Sequence, residues 1–172
     1  RRLLDATLSQ VFPVYLDDLL KYRRALKQKN ALLQQTRRGR PQAPGSMDAW
    51  DEELATLGGR VVARRRAFLA RFAALLVDAS ALPGSPGGVP SLAYQPSSGP
   101  DDPDDTEALR RALARSRRRS TELGRTLVGP HLDEVAFRLD GFDLRPYASQ
   151  GQHRTFGLAV RVAQALYVRE RL

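Results

Sequence analysis

Ser149-Gln150-Gly151-Gln152, followed by Arg154-Thr155, is the stretch whose residue types and spacing suit chemistry on an anion. A small hydroxyl residue, a glycine and two amides open a run in which Phe156, Ala159, Val160, Ala163, Leu166 and Tyr167 recur at helical spacing. Ser149 therefore stands at or beside a helix N-terminus, where unpaired backbone N–H groups and the positive dipole end favour negative charge. Gly151 lets a ligand come close to the backbone, and the Ser149 hydroxyl adds a donor. The same residue types also make a plain N-cap, and local chemistry leaves both readings open. Just upstream, Leu144-Arg145-Pro146-Tyr147 reads as the end of an extended segment.

The second chemistry is electrostatic. Net charge is +9 over 172 residues, and it is unevenly spread: Lys21 to Arg40 holds eight basic residues and no acid, and Arg110 to Arg125 holds seven against the single Glu122. Such clusters attract a polyanion such as DNA, with a solvated helix face as the plainer alternative. Lys21, Arg23, Arg24, Lys27, Arg117, Arg118 and Arg119 are the candidate phosphate contacts. No aromatic residue interleaves with them in a way that suggests base stacking, which favours sequence-independent backbone binding. Acid gathers in two knots, Asp48, Asp51, Glu52, Glu53 and Asp101, Asp102, Asp104, Asp105, Glu107, each where a helix should begin. With no cysteine and only His131 and His153, disulfides and a zinc or iron site are not expected. No apolar run is long enough to span a bilayer and no signal-peptide pattern opens the chain, so the expected compartment is the cytoplasm.

These residues must be positioned by a mostly helical α+β fold. A first helix is predicted from Leu8 or Val14 to Thr36, with Phe12, Tyr15, Leu19, Tyr22, Leu26 and Leu33 as its apolar seam and only Lys29 breaking the series. Lys21, Arg24, Lys27 and Arg38 then face outward, and Pro13 fits only a first turn. Arg37 to Gly45 reverses the chain into a second helix, Asp48 to Ala81, whose stripe is Trp50, Leu54, Leu57, Val61, Phe68, Phe72, Leu75 and Ala79. Within it Gly58-Gly59 is a weak point costing about 1 kcal/mol per glycine. The two helices form an antiparallel, coiled-coil-like arm. Leu82 to Gly88 ends the second helix, Ser91 to Gln95 is a short strand, and a third helix from Pro103 or Thr106 to Leu123 turns Leu109, Ala112 and Leu113 inward. Thr126 to Val128 reads as a strand, and Asp133 to Leu139 with Phe142 to Leu144 as a hairpin closed by Asp140-Gly141.

Thr126-Leu127-Val128-Gly129-Pro130-His131-Leu132-Asp133 and Tyr147-Ala148-Ser149-Gln150-Gly151-Gln152 resemble the RecF family of bacterial ABC-type ATPases. Arg1-Arg2-Leu3-Leu4-Asp5, the basic helix Tyr22 to Leu33 and Trp50-Asp51-Glu52-Glu53-Leu54 are similar to that family as well, while about Ala81 to Arg119 is generic. Leu132 stands where the family usually has a basic residue, and His153 replaces a common glutamine. The resemblance implies a helical arm lobe over 1–125 and, over 126–172, a β-hairpin with the ABC signature and its helix. It implies that Ser149, Gln150, Gly151, Gln152 and Arg154 contact ATP bound to the partner of a dimer, with Mg, and that the protein acts in DNA replication, recombinational repair and the SOS response. DNA at single-strand/duplex junctions, RecO, RecR, RecA and a second copy are the implied partners. His131 is either a turn residue beside Pro130 or a catalytic group; Arg154 either orients the signature or pairs with a carboxylate.

The chain opens at Arg1, its one methionine is Met47, and it holds neither a G-x-x-x-x-G-K-[ST] loop nor an apolar strand ending in paired acids after the signature. It is expected to be a piece that is monomeric, binds no cofactor alone and does not hydrolyse ATP by itself. Two other readings compete: a lobe of another SMC-type ATPase, against which the short arm speaks, and a helical nucleic-acid-binding or interaction module without ATPase ancestry, which the signature would exclude.

Overall fold

The computed structural model describes residues 1–81, 88–99 and 104–171. The predicted helix stop at Leu82 to Gly88, apart from Gly88, and the residues Asp101, Asp102 and Pro103 lie outside the described residues. Helices α1 (Arg2–Val11), α2 (Pro13–Arg37) and α3 (Ser46–Ser80) precede strand β1 (Pro90–Gln95). Helix α4 (Asp105–Leu123), strands β2 (Glu134–Leu139) and β3 (Phe142–Asp143), the single turn α5 (Leu144–Tyr147) and α6 (Gln150–Arg169) follow. None of the described helices is long and apolar enough to cross a membrane. The chain packs as two compact units, one of Arg1–Val11, Arg65–Gln95 and Glu134–Leu172, the other of Phe12–Arg64 and Pro96–Asp133, whereas the sequence divides at 125/126.

In the Phe12–Arg64 and Pro96–Asp133 unit three helices bundle. Asp18 of α2 lies 3.6 Å from Arg60 of α3 and Lys29 meets Asp51, so α2 and α3 run antiparallel, as the short turn between them requires. Arg117 reaches Asp48 and Arg110 reaches Glu52, which sets α4 antiparallel to α3 too. Tyr22, Ala25, Leu54, Ala55, Leu57, Leu109 and Leu113 form their shared core. Gly58 and Gly59 are where α4 comes closest: a Cβ on Gly59 would stand 2.8 Å from the Cα of Thr106, and one on Gly58 would overlap Leu109. The glycine pair is thus the contact surface of α4, correcting its reading as a weak point.

After α4, Gly124 takes the left-handed cap conformation at φ 68°. The chain then returns along α2, tied by Thr126 N–H and hydroxyl to Asn30 Oδ1, both at 2.8 Å. Ser97 Oγ accepts from Gly129 N–H at 2.7 Å and donates to Asp133 at 2.8 Å. Thr126 to Val128 is therefore irregular and not the predicted strand, because side chains satisfy backbone groups that a neighbouring strand would otherwise pair.

In the other unit β1, β2 and β3 form an antiparallel sheet in that order, with Leu92 opposite Phe137. Asp140 (φ 52°) and Gly141 (φ 83°) make the two-residue turn that the Asp-Gly pair predicts. Asp140 also accepts from Val89 N–H at 2.8 Å, which anchors the turn to the start of β1. Leu144–Tyr147 is helical and does not extend the strand, with Ala148 N–H closing the turn onto Leu144 O at 3.1 Å. Phe137 and Phe156 meet edge-on at 5.8 Å and Phe68 and Tyr167 at 4.6 Å, so α6 is buried against both sheet and α3. Helix α1 begins at Arg2, earlier than predicted, and ends before Phe12, since Pro13 starts α2 at its first turn. Its Asp5 receives Nη2 of the buried Arg65 at 2.9 Å, and its Thr7 receives Gln164 at 2.9 Å.

Gly59→Ala should cost about 1–3 kcal/mol by forcing α4 away. Gly157→Ala on the exposed face of α6, where an added Cβ meets nothing within 4 Å, should be neutral or stabilising by up to about 1 kcal/mol. Urea midpoints compare the two, and equal effects would refute the packing role of Gly59.

Candidate functional site

Ser149 occupies the N-cap of α6 with extended backbone (φ −66°, ψ 163°). Its hydroxyl accepts from Gln152 N–H at 3.2 Å and Gln152 Oε1 accepts from Ser149 N–H at 2.9 Å, a complete capping box. The plain-cap reading of Ser149 is therefore fulfilled. The box leaves the hydroxyl proton of Ser149 unused in it, and the N–H groups of Gln150 and Gly151 have no acceptor among the described residues. Thr155 turns inward, donating to Gly151 O at 3.0 Å.

Ser149, Gln150, Gly151 and Arg154 are exposed and Gln152 is half-buried. A Cβ on Gly151 would meet only Ser149 Oγ, at 3.8 Å. The chain's own packing does not demand glycine there. Arg154 forms no ion pair among the described residues, so of its two expected roles the carboxylate pairing is not realised. Close by in sequence, Tyr147 and Phe142 are both exposed and touch edge-on at 6.0 Å. Two N–H donors, a hydroxyl and an open approach suit an anion such as a phosphate.

The basic candidates separate into two groups. Arg24 and Lys27 of α2 and Arg119 of α4 are exposed with no ion pair among the described residues, and Arg23 is exposed. Lys21 is paired with Asp17 at 2.6 Å and Arg118 with Glu122 at 3.1 Å, both one turn apart on their own helix. Arg117 turns to α3, with Nη2 at 2.6 Å from both Asp48 and Asp51, and these bonds raise its already high pKa. His131 is a turn residue whose Nδ1 meets Tyr22 Oη at 2.6 Å, and Leu132 beside it is exposed.

Sequence reasoning missed Lys29. It sits inside the seam it was expected to break, 1% exposed, and its ammonium meets the buried Asp51, which Arg117 also holds. The signal was present as one base on the apolar stripe of α2 and one acid on that of α3, aligned once the helices are antiparallel. Burial lowers the Lys29 pKa below its ordinary 10.5, against the opposing hydrogen bond to Asp51. The native state thus releases this proton before the unfolded chain does, so stability contributed by this group grows as pH rises from the lowered value to 10.5.

Asp51→Ala strands a buried ammonium and should cost about 3–5 kcal/mol. Lys29→Met leaves Asp51 with Arg117 and should cost about half that or less, while abolishing the alkaline gain. Denaturant titrations across that pH range test both, and equal costs would refute the arrangement.

In sequence the chain is 40% identical over 178 residues to the DNA replication and repair protein RecF of Salinibacter ruber, covering 99% of this chain and 43% of that protein. It is 38% identical over 177 residues to the RecF of Chloroherpeton thalassium, covering 100% and 48%. Its fold matches a solved structure of the recombination mediator protein RecF with ATP, from the RecFOR pathway, at a TM-score of 0.91 and 26% identity, covering 99% of this chain and 46% of that one. The chain spans less than half the length of these relatives. No protein-family model matches it.

Proposed function

Since the chain is RecF-like in sequence and fold over the segment it spans, we propose that it is the arm (1–125) and signature portion (126–172) of a RecF-type ATPase. The intact protein acts on DNA at gaps, dimerises on ATP and Mg, and with RecO and RecR helps to load RecA in the cytoplasm; the segment alone is monomeric and inactive. The observation that carries this reading is Gly151, an exposed glycine in the first turn of α6 where an added Cβ would meet only Ser149 Oγ, at 3.8 Å. Its own fold gives it no reason to lack a side chain, whereas a second molecule approaching the helix start would.

Ser149, Gln150, Gly151 and Gln152 would meet the terminal phosphate of ATP held by a partner copy, and Arg154 would lie beside it. ATP supplies the negative charge that these donors need. The Ser149 hydroxyl donates outward while its oxygen keeps the cap, so ligand binding and helix capping do not compete for that group. Each charge-assisted hydrogen bond contributes roughly 1.5–3 kcal/mol, enough for a few of them to turn a weak dimer into a stable one. DNA binding falls to Arg23, Arg24 and Lys27 of α2 with Arg119 of α4, through phosphates and not bases. Lys21, Arg117 and Arg118 are the weaker candidates, each already paired.

In the intact protein Ser149→Arg should abolish ATP-dependent dimerisation, read by analytical ultracentrifugation, and leave DNA affinity in place. Gly151→Ala should fold at least as stably as the parent yet weaken the ATP-dependent dimer about tenfold or more, a loss of about 1.4 kcal/mol. Dimerisation unaffected by either change would leave a DNA-binding module without ATPase function. The double reversal Arg24→Glu/Lys27→Glu should weaken DNA binding and make its salt dependence shallower by about 2 in log–log slope. An unchanged slope would remove α2 from the DNA site.

A further inference from the structure

Three segments meet at one end of the helical bundle. Gly124, capping α4, lies against the last turn of α2, where a Cβ on it would stand 3.4 Å from Arg37 Cδ and 3.5 Å from Gln34 Cγ. Helix α3 starts at the same end, since Arg117 in the last two turns of α4 reaches Asp48 in the first turn of α3 at 2.6 Å. Arg37, Arg38, Arg40, Arg119 and Arg125 are all exposed there and form no ion pair among the described residues. The acids nearby are engaged: Asp48 and Asp51 by Arg117, Asp51 also by Lys29, and Glu122 by Arg118, with Glu53 exposed further along α3.

Positive charge at a helix C-terminus offsets the dipole, and that accounts for Arg37 and Arg38. It does not account for Arg40 and Arg125, which lie beyond the last turns of α2 and α4. Guanidinium groups bind phosphate through paired N–H donors, and all five cations are arginine. The large apolar side chain exposed beside them is Leu123, not an aromatic ring, so stacking on bases has no platform.

We propose that this arginine-rich end of the bundle is a separate contact for the phosphate backbone of DNA, additional to the outward face of α2. The inference rests on DNA being the ligand of the intact protein. From Arg24 to Arg38 is 14 residues, about 21 Å along a helix at 1.5 Å per residue, or roughly six base-pair steps of 3.4 Å. Only DNA longer than that reaches both contacts.

The test uses the intact protein and Arg38→Gln/Arg40→Gln/Arg125→Gln, which spares the packing of Arg37 on Gly124. Binding to a random-sequence duplex several turns long, and to a single strand of the same length, is measured across salt concentrations, with urea midpoints as the folding control. The expected result on at least one of the two DNAs is an affinity loss of about tenfold or more and a slope shallower by about 3, at an unchanged midpoint. The matching triple lysine variant, which keeps the charge, should recover most of the affinity. An unchanged affinity and slope in the glutamine variant, while Arg24→Glu/Lys27→Glu still weakens binding, would overturn the contact and leave the DNA reading standing. If neither variant alters DNA binding, both fall. Polyglutamate bound more tightly than DNA, and lost in the glutamine variant, would give the patch to an acidic protein and overturn the proposal.

Discussion

One carboxylate, that of Asp51, is shared by three helices. Lys29 of α2 lies on the buried seam, and a buried ammonium is tolerable only beside an opposite charge, so α3 must present Asp51 at that level. Arg117 of α4 takes another oxygen of the same group and adds Asp48. The pairing sets the level of each helix against the others, which non-directional contacts among Leu54, Leu57, Leu109 and Leu113 would do less sharply. It also decides the character of the surface, because it withdraws Lys29 and Arg117 from the basic runs and leaves Arg24, Lys27 and Arg119 facing water.

Much of the fold was legible because it rests on short-range periodicity. The apolar periodicity of Tyr15, Leu19, Tyr22 and Leu33, and that of Leu54, Val61, Phe68 and Phe72, gave α2 and α3 to within two residues, except that it left the start of α2 between Leu8 and Val14. Asp140-Gly141 announced the hairpin because only such pairs hold positive φ at both turn positions cheaply. What escaped depends on partners distant in the chain. Nothing local to Gly59 shows that Thr106 will lie on it, and nothing local to Thr126 shows that Asn30 will take its N–H. Leu144 to Tyr147 misled for the opposite reason: Pro146 argues against helix, yet a single turn asks little of the missing N–H.

At the candidate anion site the sequence offered two meanings for Ser149, cap or phosphate donor, and the capping box makes them compatible. The oxygen lone pair serves the helix and the box makes no use of the hydroxyl proton, so the two roles would not compete for the same group. Arg154, which sequence left between two roles, has no carboxylate partner among the described residues and remains exposed on the same first turns.

The reciprocal bonds between Ser149 and Gln152 have a kinetic meaning. They hold the first turn of α6 shaped on their own, so an anion docking there would find its donors already aimed and would cost the chain little freedom. A rigid helix start can be engaged and released quickly, without a loop having to fold around the guest and melt again at each departure.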